Sequence, residues 1–442
     1  MTDLMPHATP LLMSVVLLVT ILIGYPVPIA LAGTAALFVL VSDLPLTFFN
    51  LMVSRVYANA LANWLLVAVP MFIFMGFVLE RSGVAERMLV SLSRLLRHLP
   101  GGLALAVLAV GVMLAATSGI VGASVVLLSV LALPQMLKAG YDKSFSAGVI
   151  AGSGTLAILI PPSIMLIVLS DQLHVPVGDL FRGAILPGLI LVALYAAWIV
   201  LRAWSNPKVA PTVAPATDVS VVKLLADILP VSLLIACVLG SIILGVATPT
   251  EASGLGALGA LIVAAFQGRL RYALLRDASI DTARTTALVI FVVIGATCFS
   301  SVFRGVGGET MIEAGLAGIG GDPWHILIVV MLVVFLLGFV LDWLEISLIL
   351  MPLVGPIIGA LDFGNGLKGA ETLAWFAILV ALNLQSSFLT PPFGFTLFYL
   401  RSTAPEHLSN RDIYRGVVPI IALQLLAVVL CALVPSLITW KW

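Results

Sequence analysis

The sequence predicts an all-α, polytopic membrane protein built as two inverted-topology repeats, each with five spans, a re-entrant helical hairpin and a broken helix. Three observations predict it: charge is scarce, apolar runs near 20 residues recur, and four motifs occur twice in the same order. Of 442 residues, 61% are hydrophobic and only 10% charged, with a formal net charge of +0. A soluble domain carries roughly 25% charged residues, so lipid is the solvent for most of this chain. That excludes an ordinary globular enzyme, a disordered tail, a basic nucleic-acid binder and a disulfide-stapled scaffold. Transport, sensing and lipid chemistry remain.

A spanning helix needs about 20 mostly apolar residues. Such runs fall at 5–23, 25–42, 63–80, 144–170, 181–203, 224–246, 250–267, 285–303, 375–400 and 416–438. Met1 to Pro10 has no charged n-region and no A-x-A cleavage site, so the first run is expected as a retained helix. Two further apolar regions, 102–139 and 324–360, are each long enough for two helices and broken centrally by small or polar residues. The breaks are Thr117 to Ser124, and Gly338 through Asp342 to Ser347. Two ordinary short spans give the same sidedness as a hairpin. The polar tips favour re-entrant hairpins, which membranes tolerate where protein or a water-filled cavity covers the backbone.

The doubling is visible in motif order. Gly24-Tyr25-Pro26 recurs as Gly245 to Pro249, Leu133-Pro134 as Met351-Pro352, Leu159 to Pro162 as Leu389 to Pro392, and Phe181 to Pro187 as Tyr414 to Pro419. The Pro- and Ala-rich stretch 205–221 is then the linker between halves. Loop charges predict the inversion. The loop 81–100 holds Arg81, Arg87, Arg94 and Arg97 against Glu86, and its counterpart 304–323 holds Arg304 against Glu309, Glu313 and Asp322. Conversely 267–284 is basic, with Arg269, Arg271, Arg276 and Arg284, whereas 43–62 has only Asp43 and Arg55. By the positive-inside rule equivalent loops fall on opposite sides, the pattern of secondary transporters with broken helices.

After each hairpin region lies an apolar helix with a defect, Ala151 to Ser163 and Asn383 to Pro392. Consecutive prolines remove two donors and clash with the preceding turn, so the helix must break. The freed carbonyls suit a hard cation, and the half-helix beyond offers N–H groups to an anion. Acids in apolar sequence are Asp342, Glu345 and Glu251, the last near a helix start where capping is an equal expectation. Ser124 stands at the first tip where Asp342 stands at the second. Cys237, Cys298 and Cys431 have no CxxC spacing, the five histidines form no metal-ligand spacing, and no P-loop occurs.

These motifs resemble the large membrane subunit of TRAP (tripartite ATP-independent periplasmic) transporters over essentially the whole length. The resemblance is carried by Gly24 to Val27, Ser118-Gly119, Met136 to Asp142, Gly154-Thr155 through Ile160-Pro161-Pro162-Ser163-Ile164, Thr248 to Ala252, Asp342, and Thr390 to Gly394. Ala157 and Ile120 depart from the small residues usual in that family. The resemblance implies an elevator-type carrier, not an enzyme, in the bacterial inner membrane with both termini periplasmic. Segments within 1–100 and 222–323 would form the scaffold, and those within 101–204 and 324–442 the transport domain. No cofactor is implied beyond Na+ as coupling ion. One Na+ would lie among Ser118, Ile120, Ala157, Ile160 and Pro162, and a second among Gly338, Asp342, Ser387, Thr390 and Pro392. Ser153, Thr155, Ser124, Gln385 and Ser386 would face an organic acid, such as a C4-dicarboxylate or sialic acid. A soluble periplasmic binding protein would deliver it, and a small four-helix membrane subunit is expected as a separate chain because no long segment precedes the first motif. The alternative is a stand-alone cation- or proton-coupled permease of the same broad architecture. A membrane-embedded enzyme lacks its paired acids, metal cluster or activated nucleophile here.

Overall fold

Short polar caps, prolines and glycines set the helix ends. Asp142, Asp322 and Asp342 each accept a hydrogen bond from a backbone N–H of the first turn they precede, satisfying donors that a helix start otherwise leaves open. The computed structural model describes residues 5–212, 221–318, 320–392, 394–403 and 408–440, with backbone alone at 5–7, 118 and 221–224. Most of the expected linker, residues 213–220, and the first four residues, which bear on the N-terminal sidedness, lie outside the described residues.

The chain opens with α1 (Met5–Ile23), α2 (Val27–Val41) and the short α3 (Phe48–Val56). A π turn (Tyr57–Leu61) and a 3-10 turn (Trp64–Val67) lead into α4 (Ala68–Arg81), followed by the amphipathic α5 (Val84–Leu95). Next come α6 (Gly102–Ser118) and α7 (Val121–Lys138), packed on each other across the Gly119-Ile120 break, then α8 (Lys143–Thr155), a 3-10 turn (Leu156–Ile158) and α9 (Ile164–Leu173). The long α10 (Val177–Ser205) precedes α11 (Val221–Ile243), α12 (Pro249–Phe266), α13 (Tyr272–Gly305) and α14 (Gly308–Ala317). Last are α15 (Pro323–Leu337), α16 (Trp343–Ile349), α17 (Met351–Ala360), α18 (Ala370–Leu389), α19 (Phe395–Thr403), α20 (Asn410–Leu433) and α21 (Ser436–Thr439). Among the described residues there is no strand. Eight of their helical segments are long and apolar enough to cross a membrane, nine if α16 and α17, bent by 59°, count as one.

Two helices sit at the centre. Residues 374–382 of α18 are all fully buried, and α8 is buried from Phe145 to Thr155. A helix that is apolar all round belongs inside, and α18 touches α8, α9, α10, α15, α17 and α20. Partners are exchanged between the halves: α2 packs on α13 and α4 on α12, while α9 packs on α16 and α19 on α7. Residues 206–212 dock back on the first half, where Val209 and Ala210 accept from the N–H groups of Asp142 and Gly101 at 2.9 and 3.3 Å.

Two stretches expected as loops are largely helical. α5 fills 84–95, and α13 begins at Tyr272, inside the expected loop 267–284. The 34 residues of α13 rise about 51 Å against a hydrocarbon core of about 30 Å, so its charged first turns continue the helix beyond the apolar segment. Arg276 pairs with Asp277 at 3.1 Å, Arg284 with Asp281 at 3.6 Å, and both acids also pair with Arg81 at the end of α4. Glu251 caps a helix: with Thr248 it forms a reciprocal capping box at the start of α12, its carboxylate accepting from both the Thr248 N–H and hydroxyl at 2.8 Å.

Candidate functional site

The proline pairs produce two interruptions in the molecular centre. In the first half α8 tightens into a 3-10 turn and stops, and α9 starts afresh at Ile164. The Ser163 hydroxyl reaches back across the gap to the Ile158 carbonyl at 2.7 Å. Among the described residues no backbone N–H donates to the carbonyls of Ile160, Pro161 or Pro162. Gly119, which closes α6 with φ +61°, lies against this break: a Cβ placed on it would be 3.3 Å from the Ile164 nitrogen. Ile120 is extended (φ −122°, ψ 114°) and Ala157 fully buried. The structure thus sets the α6–α7 turn, which carries Ser118 and Ile120, against the start of α9, while Ala157, Ile160 and Pro162 lie along the break itself; the Ser118 side chain lies outside the description.

In the second half α18 runs without a tightened turn to Leu389 and α19 resumes at Phe395. Gly338, at the end of α15, lies against Ser387, since a Cβ there would sit 2.3 Å from the Ser387 hydroxyl. That hydroxyl donates to the Phe335 carbonyl at 2.6 Å, and one turn earlier the Asn383 amide donates to the Met331 carbonyl at 2.7 Å. The Thr390 hydroxyl donates to the Ser386 carbonyl at 2.7 Å, and the Thr390 backbone carbonyl accepts from the Gly394 N–H at 3.1 Å. Asp342 caps α16 by accepting from the Trp343 N–H at 2.8 Å, with its side chain accessible. Beside it Glu345 is buried, one carboxylate oxygen without a partner. Gly338 therefore meets Ser387 just before the break that Thr390 and Pro392 span, and Asp342 stands four residues beyond Gly338, at the start of α16, which α9 packs against.

The five residues expected to face substrate lie on three helices, α7, α8 and α18, and all are buried. Ser153 presses on Gly111 of α6 with its hydroxyl buried and unpartnered. Thr155 donates to the Gly152 carbonyl at 2.9 Å and accepts from Gln424 of α20 at 3.2 Å. Ser124 is buried in the first turn of α7. Ser386 faces its own helix at 3.4 Å from the Leu382 carbonyl. Gln385 is fully buried with neither amide atom partnered, a state that costs free energy unless a ligand or water completes it. Gln424, with its own carbonyl oxygen unpartnered, is not singled out by the sequence, and Asn383 is named there only as the start of the broken segment. The available signal was a lone amide inside an apolar helix, which in lipid marks a polar contact.

Among the described residues, an all-helical architecture with eight or more helices apolar enough to span and two buried helices broken at proline pairs is that of a polytopic membrane protein. The chain belongs to the family described as "Tripartite ATP-independent periplasmic transporter, DctM component", which matches residues 14–437, so it is a TRAP transporter large membrane subunit, a bacterial inner-membrane permease of multi-pass type. It is 30% identical over 424 residues to the isethionate TRAP transporter permease protein DctMQ of Oleidesulfovibrio alaskensis, covering 94% of this chain but only 64% of that one. It is 30% identical to the C4-dicarboxylate TRAP transporter large permease protein DctM of Vibrio cholerae, over 95% of this chain and 94% of the relative. The ectoine/5-hydroxyectoine large permease protein UehC of Ruegeria pomeroyi is also 30% identical, over 92% and 93%. In fold it is similar to the YdaH transporter of Alcanivorax borkumensis (TM-score 0.63, 16% identity, 97% and 98% of the two chains).

Proposed function

We propose that the chain is the Na+-coupled carrier subunit for uptake of a small organic acid. The observation that carries this reading is the pair of helix breaks, each lying against a glycine at the end of a neighbouring helix, the first with carbonyls at Ile160, Pro161 and Pro162 that no described N–H fills. Oxygen-rich gaps of this kind suit a hard cation. One Na+ is assigned to Ser118, Ile120, Ala157, Ile160 and Pro162, and a second to Gly338, Asp342, Ser387, Thr390 and Pro392. Gln385, the fully buried amide without partners, heads the substrate side, with Ser124, Ser153, Thr155 and Ser386.

Residues 101–204 and 324–442 form inverted halves of a transport domain that moves as an elevator against a scaffold of 1–100 and 222–323. The relatives named above carry C4-dicarboxylate, isethionate or ectoine in their names, and an anionic or zwitterionic solute of that size, or sialic acid, is the proposed cargo. A separate small four-helix membrane subunit and a periplasmic binding protein complete the system.

The test is uptake into liposomes holding this chain and the small subunit, with the binding protein and labelled succinate, isethionate or ectoine outside. An inward Na+ gradient should accelerate accumulation of one solute at least tenfold over choline at the same pH. Uptake equal in choline would overturn Na+ coupling, and uptake without either partner would establish the stand-alone permease instead.

A further inference from the structure

A cavity of about 910 Å³ lies away from both breaks, and none of the residues assigned to Na+ or substrate above lines it. Its walls come from two groups of helices. One is α3, the π turn after it and the C-terminal end of α13. The other is the end of α9, α17 and the start of α18. The cavity opens at the end of the molecule opposite the basic helix ends. Asn63, on its wall, precedes α4, and Arg81 closes that helix; the span from Trp64 to Arg81 rises about 27 Å. Arg304, also on the wall, ends α13, whose other end carries the Arg276, Asp277, Asp281 and Arg284 cluster bound to Arg81. With the basic end cytoplasmic, the cavity faces outward.

The chemistry of the walls is that of an anion site. Arg55 and Arg304 both line it, and neither has a carboxylate within ion-pair distance among the described residues. Arg304 is pinned by one Nη to the Pro352 carbonyl at 2.9 Å, and its Nε is buried without an acceptor. Two acids also line it: Asp171, whose carboxylate accepts from the Asn63 amide at 2.9 Å and the Gln172 amide at 2.8 Å, and Glu309. Asn59 and the hydroxyls of Ser300 and Ser301 add polar groups, and His174 stands beside Asp171 with Nδ1 at 2.8 Å from its carbonyl. A buried guanidinium N–H without an acceptor is costly. A planar guanidinium pinned on one side presents its remaining donors in the geometry that a carboxylate or sulfonate accepts.

We propose that this cavity is an outward-facing reception site for a small organic anion, carboxylate or sulfonate, held by Arg55 and Arg304 before it moves to the helix breaks. The assignment rests on the reading of the chain as an organic-acid carrier and adds a second station to it. Because scaffold and transport helices share the walls, the site exists only while the two groups stand as they do here.

The test uses the full chain in intact cells, with Cys237, Cys298 and Cys431 replaced by alanine and Ser300→Cys added. A membrane-impermeant maleimide applied outside should label this position, and millimolar succinate or isethionate should slow labelling at least fivefold, whereas choline chloride should not. Protection by only one of the two anions names the headgroup class. In Arg304→Gln and Arg55→Gln backgrounds labelling should persist, which shows that the cavity is intact, and protection should fall to less than twofold. Arg304→Lys should keep partial protection. Labelling from the cytoplasmic face alone, no protection by either anion, or protection that survives both glutamine variants would overturn the assignment. Protection is read without Na+ and without the partner proteins, so its failure and a failure of Na+-driven uptake are separate results.

Discussion

Glu251, Asp342 and Glu345 are the acids that the sequence singles out, and their surroundings separate them. The Glu251 carboxylate is spent in an exposed capping box with Thr248, so its part is local. Thr248→Ala should lower the thermal stability of the purified protein by about 1 kcal/mol, seen as a small drop in melting temperature, with uptake per folded molecule unchanged. Asp342 both caps α16 and carries the charge proposed for the second Na+. Asparagine caps a helix as well as aspartate does, which divides the two parts. If the carboxylate binds Na+, Asp342→Asn and Asp342→Ala both raise the Na+ concentration for half-maximal uptake at least tenfold. An Asn variant indistinguishable from the native chain would reduce Asp342 to a cap. The sequence shows an acid at a tip but not which neighbour the tip meets. The contact of Gly338 with Ser387 joins residues on different helices, set by how α15 lies on α18, and local pattern holds no record of that.

Among the elements, the proline pairs were legible because their effect is covalent: a missing N–H and a ring clash end a helix whatever surrounds it. Helix extent beyond the apolar window was not. Tyr272 to Arg284 carries the charges of an expected loop, yet it is helical, and Asp277 and Asp281 pair with Arg81 on another helix. The faces by which helices meet were equally hidden. At the α8–α20 contact two glycines bring backbones together; a Cβ on Gly148 would lie 2.2 Å from the Gly416 carbonyl, and one on Gly416 would lie 2.0 Å from the Ser144 carbonyl. Lipid tails are as apolar as the side chains, so helix association in a membrane depends on such close packing. Gly416→Ala drives a methyl into rigid backbone and should destabilise the protein by about 1–3 kcal/mol, measured as a fall in melting temperature and in monodisperse yield. Gly254→Ala in α12, where the added Cβ meets nothing within 4 Å, should leave the melting temperature unchanged or slightly raised.

At the scale of the molecule, the scarcity of charge decides how the two groups of helices are tied. Across the cavity, Asn63 donates to Asp171 at 2.9 Å and Arg304 to the Pro352 carbonyl at 2.9 Å. Each joins an element assigned to the scaffold with one assigned to the transport domain. Asn63 is also fixed on its own side, its side-chain oxygen accepting from the Leu65 N–H at 3.0 Å, so the Asn63–Asp171 contact links two ordered backbones. A net hydrogen bond is worth about 1 kcal/mol and one to a charged group about 1.5–3, enough to bias two arrangements and too little to lock them. If the two groups of helices move against each other during transport, a covalent link at this point arrests the cycle. Asn63→Cys with Asp171→Cys, in a chain whose native cysteines are replaced, should therefore support uptake when reduced, lose at least nine-tenths of it on joining the thiols with a short cross-linker, and regain it when a cleavable linker is cut. Each single cysteine treated the same way should retain its uptake. A cross-linked double variant that transports at the reduced rate would show that these helices keep their places throughout the cycle, and the elevator assignment would fall with that result.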